Sequence, residues 1–355
     1  MASLSRGEIL IKERQGFLLK ENSPAINVIR GIAIVLVVAG HVIQRTMSIN
    51  GEDFFLNPVF KIIYTFHMPL FFFISGFVMA FSLNRQTPWE VLKKRYRSLC
   101  VPLLSWGILG VVGSYYLHLS SDLSVWFIWF LFTLFISSCI LLCSVQFERR
   151  LGLWAFGGMY LIILILPYNH YFYLYFIQWF YVFYLAGYFF NRYGMNGISQ
   201  RGGLGAFLVA LIVFSWLSSL WTKNDYIYIH QMNFTAHNYV FEILRMGYRY
   251  VLGFLGIFMT FMVGHGMAKR KIGLIFGYIG IFSLDIYLIQ RYIVESLYPS
   301  LLGKLHLNFD CNGPLFLGIY VPLMAMFFVS MCLLISKFLI RKNELLNRFL
   351  LGGRR

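Results

Sequence analysis

The chain has 355 residues, of which 59% are hydrophobic and only 12% are charged, with a formal net charge of +16. This composition excludes an ordinary soluble domain, in which about a quarter of the residues carry charge. The apolar runs are continuous and lack the period-two alternation of an outer-membrane barrel. The sequence therefore predicts an all-α, polytopic integral membrane bundle.

Apolar segments that approach or reach spanning length follow one another along the chain, and we predict about ten transmembrane helices from them. They cover residues 27–46, 58–82, 99–118, 125–145, 152–168, 171–190, 203–221, 246–267, 272–297 and 315–338. We expect residues 1–24 to form an N-terminal tail with a short interfacial helix and no cleaved signal peptide. Residues 25–340 form the membrane domain, and residues 341–355 form a basic C-terminal tail.

The positive charge is concentrated in the two tails and in alternate connections between the predicted helices. Examples are Lys93, Lys94, Arg95 and Arg97 after the second helix, and Lys269, Arg270 and Lys271 after the eighth. The positive-inside rule then places both termini in the cytoplasm. Because this pattern explains the charge by topology, we predict no nucleic-acid partner. The five cysteines have no metal-ligand spacing, and we predict no metal.

Arg30 and His41 lie together in the first apolar segment, AINVIRGIAIVLVVAGHVIQ. Eleven steps of about 100° bring the two side chains to within roughly 20° of one helix face, about 16 Å apart along the axis. Ionisable groups in a membrane are costly and usually line a pathway or an active site. The spacing predicts that both face one neighbour or cavity. Two alternatives stay open: Arg30 as an anchor that snorkels to the interface, and His41 as a packed histidine.

Motifs in the same order as those of a known family run through nearly the whole chain. Asn27, Arg30, Gly31 and His41 are followed by FHMPLFFFISGF at 66–77, KKRYRSLCVP at 93–102, WFIWFLF at 126–132, FYLAGY at 183–188 and IFSLDIYLIQ at 281–290. The chain thus resembles the acyltransferase family 3 membrane proteins. Three positions depart from that family's pattern: Lys94 and Asn27 stand where Arg and Asp are common, and Gln290 stands where a second histidine is common.

The resemblance implies transfer of an acyl group, commonly acetyl from acetyl-CoA, to a sugar hydroxyl of a bacterial surface polysaccharide. The implied location is the bacterial inner membrane, and the implied partners are acyl-CoA, a lipid-linked or polymeric glycan, and membrane lipid. A sugar hydroxyl is a poor nucleophile, so we predict His41 as the general base. An acyl-histidine intermediate is an open alternative. Arg30 is predicted to polarise the donor carbonyl or to hold a CoA phosphate.

A basic stretch after the second helix is a candidate for binding the donor. Lys94, Arg95 and Arg97 would receive the anionic nucleotide end of CoA. Topological positive charge explains the same residues equally well, and both interpretations can hold together.

Other polar residues in the predicted helices are candidates for supporting roles. Pro69 removes a backbone donor, so we expect a kink that turns His67 toward His41, with a polar gap filled by His67 as the alternative. Asn27 belongs to the same motif as Arg30. Glu242 and Asp285 are the acids that would orient His41, with mutual ion pairing as the alternative.

A glycan or lipid-linked glycan exporter is the competing interpretation of the whole chain. Polar residues inside a helical bundle also line transport paths. The sequence shows no internal repeat and no paired broken helices in corresponding halves, which favours the enzyme. Dependence of the activity on the basicity of His41 would separate the two functions.

Overall fold

A computed structural model of the chain describes residues 23–117, 128–165, 174–193, 200–230, 239–305 and 310–354, and the regular elements in these ranges are all helical. The α-helices are α1 (Pro24–Ile49), α2 (Pro58–Leu83), α3 (Pro88–Arg95), α4 (Val101–Leu117), α5 (Trp129–Leu151), α6 (Trp154–Ile165), α7 (Leu174–Arg192), α8 (Gln200–Ser219), α9 (Tyr239–Met267), α10 (Lys271–Ile281), α11 (Ser283–Tyr292), α12 (Tyr298–Leu305), α13 (Val321–Leu334) and α14 (Glu344–Leu350). Four π-helical turns, Tyr96–Cys100, Ile293–Leu297, Phe316–Tyr320 and Ile335–Ile340, extend or join these helices. The all-α prediction is therefore confirmed for the described residues. The predicted interfacial helix of the N-terminal tail and residues 126 and 127 of the WFIWFLF motif lie outside them.

The predicted number of ten membrane spans is not confirmed. Six helical stretches of the described residues are long and apolar enough to cross a membrane, and a bent pair raises the number to seven. The fifth and seventh predicted segments contain only the shorter apolar helices Trp154–Ile165 and Gly203–Ser219. The sixth segment, α7, contains four Tyr residues, which are less apolar than the aliphatic residues of the other spans.

The first three helices begin at the same kind of local signal. Ser23, Asn57 and Thr87 each stand directly before a proline at the first helical position. Their side-chain oxygens accept hydrogen bonds from backbone N–H groups of the first turn, which have no partner within the helix. Short-range chemistry therefore sets the starts of α1, α2 and α3.

Glycines allow the central helices to touch through their backbones. A Cβ atom on Gly31 of α1 would lie 1.9 Å from the carbonyl oxygen of Phe276 in α10, and one on Gly280 would lie 1.8 Å from that of Asn27. Gly76 of α2 meets the carbonyl oxygen of Tyr184 in α7 in the same way. Close approach at small residues is a common means of packing helices in membranes.

The ninth predicted span is broken at Phe282. The axis bends by 67° between α10 and the stretch Ser283–Lys304. Phe282 has φ −98° and ψ 10°, outside the helical range, and its N–H donates to the carbonyl of Ile279. Broken helices at membrane depth are tolerated where the freed backbone borders protein or a cavity. The residues on both sides of this break line the cavity described next.

Candidate active site

A cavity of about 770 Å³ lies between α1, α2, α3, the bend from α10 to α11, and the C-terminal segment. Its wall contains seven cationic side chains: Arg30, Lys93, Lys94, Arg95, Arg97, Arg341 and Arg354. Glu90 is the one carboxylate residue among the described residues that line it. We call this space the basic cavity. Its volume is in the range of small-molecule sites, and its charge favours a ligand with several negative charges.

Four of the residues singled out in the sequence line the basic cavity: Arg30, Lys94, Arg95 and Arg97. Arg30 donates from Nη1 to Oδ1 of Asn27 at 3.5 Å, which makes Asn27 a partner of the arginine. Arg95 donates from Nη2 to the carbonyl oxygen of Ser75 in α2 at 3.3 Å. Arg30 thus faces the basic cavity.

His41 lies further along α1 and faces a carboxylate. Its Nε2 is 3.6 Å from Oε1 of Glu295, and its Nδ1 is 3.3 Å from Oε1 of Gln44. Glu295 also accepts a hydrogen bond from Nη2 of Arg45 at 3.3 Å, and its side chain is only 14% exposed. We call His41, Gln44, Arg45 and Glu295 the His41 cluster. A histidine held between a carboxylate and an amide has the partners that a general base requires.

The two acids predicted to orient His41 lie elsewhere, and this part of the prediction is wrong in its geometry. Asp285 accepts a hydrogen bond from Nε of Arg341 at 2.8 Å and another from the hydroxyl of Ser336. It stands directly after the break at Phe282, whereas Glu295 lies ten residues, or about 15 Å, further along the helix. The acid beside His41 is therefore Glu295, which the sequence reading missed.

Glu242 takes part in an ion-pair network of its own, at the start of α9. Its Oε1 lies 2.7 Å from Nε2 of His230 and 3.7 Å from Nη1 of Arg245. The buried Arg249 donates to the backbone carbonyls of Asn224, Asp225 and His230 at 2.7 to 3.1 Å. These contacts match the ion-pairing alternative, and they hold residues 224–230 against α9.

His67 has the structural environment that the polar-gap alternative describes. Its Nδ1 is 2.7 Å from the carbonyl oxygen of Ile63, one turn earlier in α2, and its ring packs edge-on against Tyr64. The side chain is 3% exposed. Among the hydrogen bonds of the described residues, His67 makes none to His41, but the two rings lie within electrostatic range of each other, and α2 continues through Pro69.

Tyr287 connects the basic cavity with the His41 cluster. It lines the cavity, packs edge-on against Phe130 at 5.0 Å between ring centroids, and lies within electrostatic range of Arg291 and Glu295. Arg30 and His41 therefore both face the stretch of residues 280–295, as their spacing along α1 predicts. Tyr287 thus borders the basic cavity and lies near the acid of the His41 cluster.

The fold and the site define a helical membrane protein with a basic cavity and, further along α1, a paired histidine and glutamate. The sequence profile of a family described as an acyltransferase domain matches residues 23–336, and the chain belongs to this acyltransferase family. This result confirms the resemblance read from the motifs.

Two curated proteins, both called nodulation protein NolL, are similar to parts of the chain. The one from Sinorhizobium fredii (strain NBRC 101917 / NGR234) is 41% identical over 78 residues, which cover 22% of this chain and 21% of the relative. The one from Mesorhizobium japonicum (strain LMG 29417 / CECT 9101 / MAFF 303099) is 30% identical over 152 residues, or 39% of this chain and 40% of the relative. The chain thus matches less than half the length of either relative. No solved structure matches the chain.

Proposed function

We propose that the chain is a membrane O-acyltransferase that moves acetyl from acetyl-CoA to a sugar hydroxyl of a bacterial surface polysaccharide. The proposal rests on the different surroundings of Arg30 and His41 along α1. Arg30 faces a cavity lined by seven cations, and His41 on the same side of the helix faces Glu295. A donor with an anionic nucleotide at one end and a thioester at the other matches this arrangement.

The separation between Arg30 and His41 supports one of the two roles considered for the arginine. Eleven residues of α-helix place the two side chains about 16 Å apart along the axis. One thioester carbonyl cannot lie next to both. Arg30 shares its cavity with Lys94, Arg95 and Arg97, so its role is to hold a phosphate of the donor. The reacting carbonyl belongs at the His41 cluster.

His41 acts as a general base through Nε2. In the tautomer that carries its proton on Nδ1, His41 donates to Oε1 of Gln44, and the Nε2 lone pair is then available for the proton of the sugar hydroxyl. The sugar oxygen then bonds to the thioester carbon, the C–S bond breaks, and the departing CoA sulfur takes the proton back from the imidazolium. Glu295 stabilises the transient imidazolium by its negative charge.

The positive-inside rule supports one orientation of this site in the inner membrane. The basic cavity then faces the cytoplasm, where acetyl-CoA is made, and both termini lie on that side. His41 belongs to the outer half of the membrane, where a lipid-linked or polymeric glycan approaches. Donor and acceptor thus enter from opposite sides and meet at the His41 cluster.

Membranes that contain the chain, incubated with acetyl-CoA labelled in the acetyl group, test the proposed function directly. We expect label in the glycan as an ester that mild base releases, and no such label in membranes without the chain. Glycan translocation without any ester label would instead support the exporter and contradict the proposal.

Replacing Glu295 with glutamine should lower kcat by roughly 10²-fold and leave KM for acetyl-CoA nearly unchanged. The amide keeps the size of the side chain but cannot stabilise the imidazolium, and Glu295 is not among the residues that line the basic cavity. Steady-state kinetics with Glu295→Asp as a partial rescue and the exposed Glu344→Gln as a matched control measure this effect. Wild-type kcat in Glu295→Gln would contradict the role.

A further inference from the structure

The C-terminal segment folds back onto the bundle. The indole N–H of Trp106 in α4 donates to the carbonyl oxygen of Leu350 at 2.8 Å, and Leu351 is completely buried. Asn347 fastens the end of the segment, since its carbonyl accepts from the N–H of Gly353 at 3.0 Å and its Nδ2 donates to the carbonyl of Arg354 at 2.9 Å. Residues 341–354 therefore pack against the helical bundle, in addition to carrying the positive charge of the C-terminal tail.

Two consecutive glycines turn this segment toward the basic cavity. Gly352 and Gly353 have φ of +70° and +73°, a conformation that side chains disfavour. A Cβ atom on Gly352 would lie 2.0 Å from the carbonyl oxygen of Arg97, so the backbones are in direct contact. The turn brings Arg354 to the cavity wall, where its Nη2 donates to the carbonyl oxygen of Ser98 at 3.1 Å.

Arg354 belongs to a group of arginines whose total positive charge is larger than the negative charge of the one carboxylate that stabilises it. It lies within electrostatic range of Arg30, Arg95 and Arg341, and Asp285 is the carboxylate that stabilises it. Asp285 is already hydrogen-bonded to Arg341. Burial lowers the pKa of Arg354 to about 10, so the group is still charged at neutral pH. An arrangement of like charges in a cavity is stabilised by a bound polyanion.

We propose that Arg354 is a donor-binding residue, and that Arg30, Arg95, Arg341 and Arg354 together bind the diphosphate of acyl-CoA. The planar guanidinium group suits bidentate contacts with phosphate oxygens. The identity of the donor rests on the proposed function, whereas the phosphate site rests on the cavity alone. The segment after α14 thereby completes a site whose other residues come from α1, the end of α3 and the region after α13.

The test is calorimetric binding to the purified full-length chain in detergent, with CoA, inorganic diphosphate and S-acetylpantetheine as probes. Arg354→Ala should raise Kd for CoA and for diphosphate by about 10- to 100-fold, the usual size for a lost charge-assisted contact. Arg354→Lys should recover part of the affinity. Arg348→Ala, an equal loss of charge on the exposed face of α14, should bind like the wild type. S-acetylpantetheine, which has no diphosphate, should not distinguish the variants.

The possible results distinguish a failure of the phosphate site from a failure of the proposed donor. Wild-type affinity for CoA and diphosphate in Arg354→Ala, with an unchanged melting temperature, would overturn the inference. Binding of diphosphate but not CoA, still dependent on Arg354, would support the phosphate site and contradict the proposed donor. Displacement of diphosphate by phosphatidylglycerol in nanodiscs, but not by CoA, would overturn the donor role and identify a lipid headgroup as the ligand. Gly352→Ala, which keeps every charge but displaces the turn, should weaken CoA binding in the same direction as Arg354→Ala.

Discussion

Replacing His41 with alanine should reduce acetyl transfer to the glycan by about 10²- to 10⁴-fold, the usual contribution of a general base. The variant loses the imidazole that faces Glu295 and Gln44 but keeps every residue of the basic cavity. Donor binding should therefore be unchanged while turnover disappears. Labelled acetyl transfer at matched protein levels measures the loss, and His41→Gln should be equally inactive because an amide is not a base.

Controls for this experiment come from the same chain. His265→Ala changes an exposed histidine near the end of α9 and should leave transfer intact. Incubation of the wild type with labelled acetyl-CoA and no acceptor tests the alternative mechanism. Label held covalently by the protein, and absent from His41→Ala, would replace the general base with an acyl-histidine. Substantial transfer by His41→Ala would contradict both mechanisms.

Replacing Gly76 with alanine should prevent normal folding or lower the stability of the bundle strongly. The added Cβ would lie 1.8 Å from the carbonyl oxygen of Tyr184, and a Cβ atom on Gly187 of α7 would likewise lie 1.9 Å from the carbonyl oxygen of Phe73. Backbone atoms on both sides leave no flexible side chain to move away, so the helices must separate. Overpacking typically costs about 1–3 kcal/mol, and a clash with backbone lies at or above the upper end.

The yield of monodisperse protein in detergent and its melting temperature measure this effect. Gly107→Ala is the matched control, because a Cβ atom there meets nothing within 4 Å. Alanine favours the helical state by about 1 kcal/mol over glycine, so the control should be neutral or slightly stabilising. Equal melting temperatures for Gly76→Ala and Gly107→Ala would show that α2 and α7 are not packed as described.

The features that could be predicted from the sequence depend on short-range patterns. Apolar runs indicated helices, and the spacing of Arg30 and His41 put both on one face. The cluster of Lys94, Arg95 and Arg97 was a candidate for anion binding, and all three residues line the basic cavity. These inferences worked because helical periodicity relates neighbours in sequence to neighbours in space.

The features that could not be predicted depend on contacts between distant parts of the chain. Glu295 lies beside His41 across 254 residues, and no local pattern distinguished it from Glu242 or Asp285. The predicted number of spans is not confirmed in the described residues, because hydropathy does not show whether an apolar segment crosses a membrane, lies short within the bundle or breaks, as at Phe282. From the sequence, Arg354 was interpreted only as part of the basic tail whose charge sets the topology.

By itself, the sequence determined that this protein is a helical membrane protein of an acyltransferase family with Arg30 and His41 on one stripe, because composition, periodicity and motif order are properties of the chain. Only the tertiary structure decided which acid faces His41 and which cations share a cavity. The choice of Glu295 follows from the packing of α1 against the helix that begins at Ser283, and the placement of Arg354 follows from the glycine turn after α14. Both depend on where the packing of separate helices brings charged groups together, and packing is a property of the whole fold.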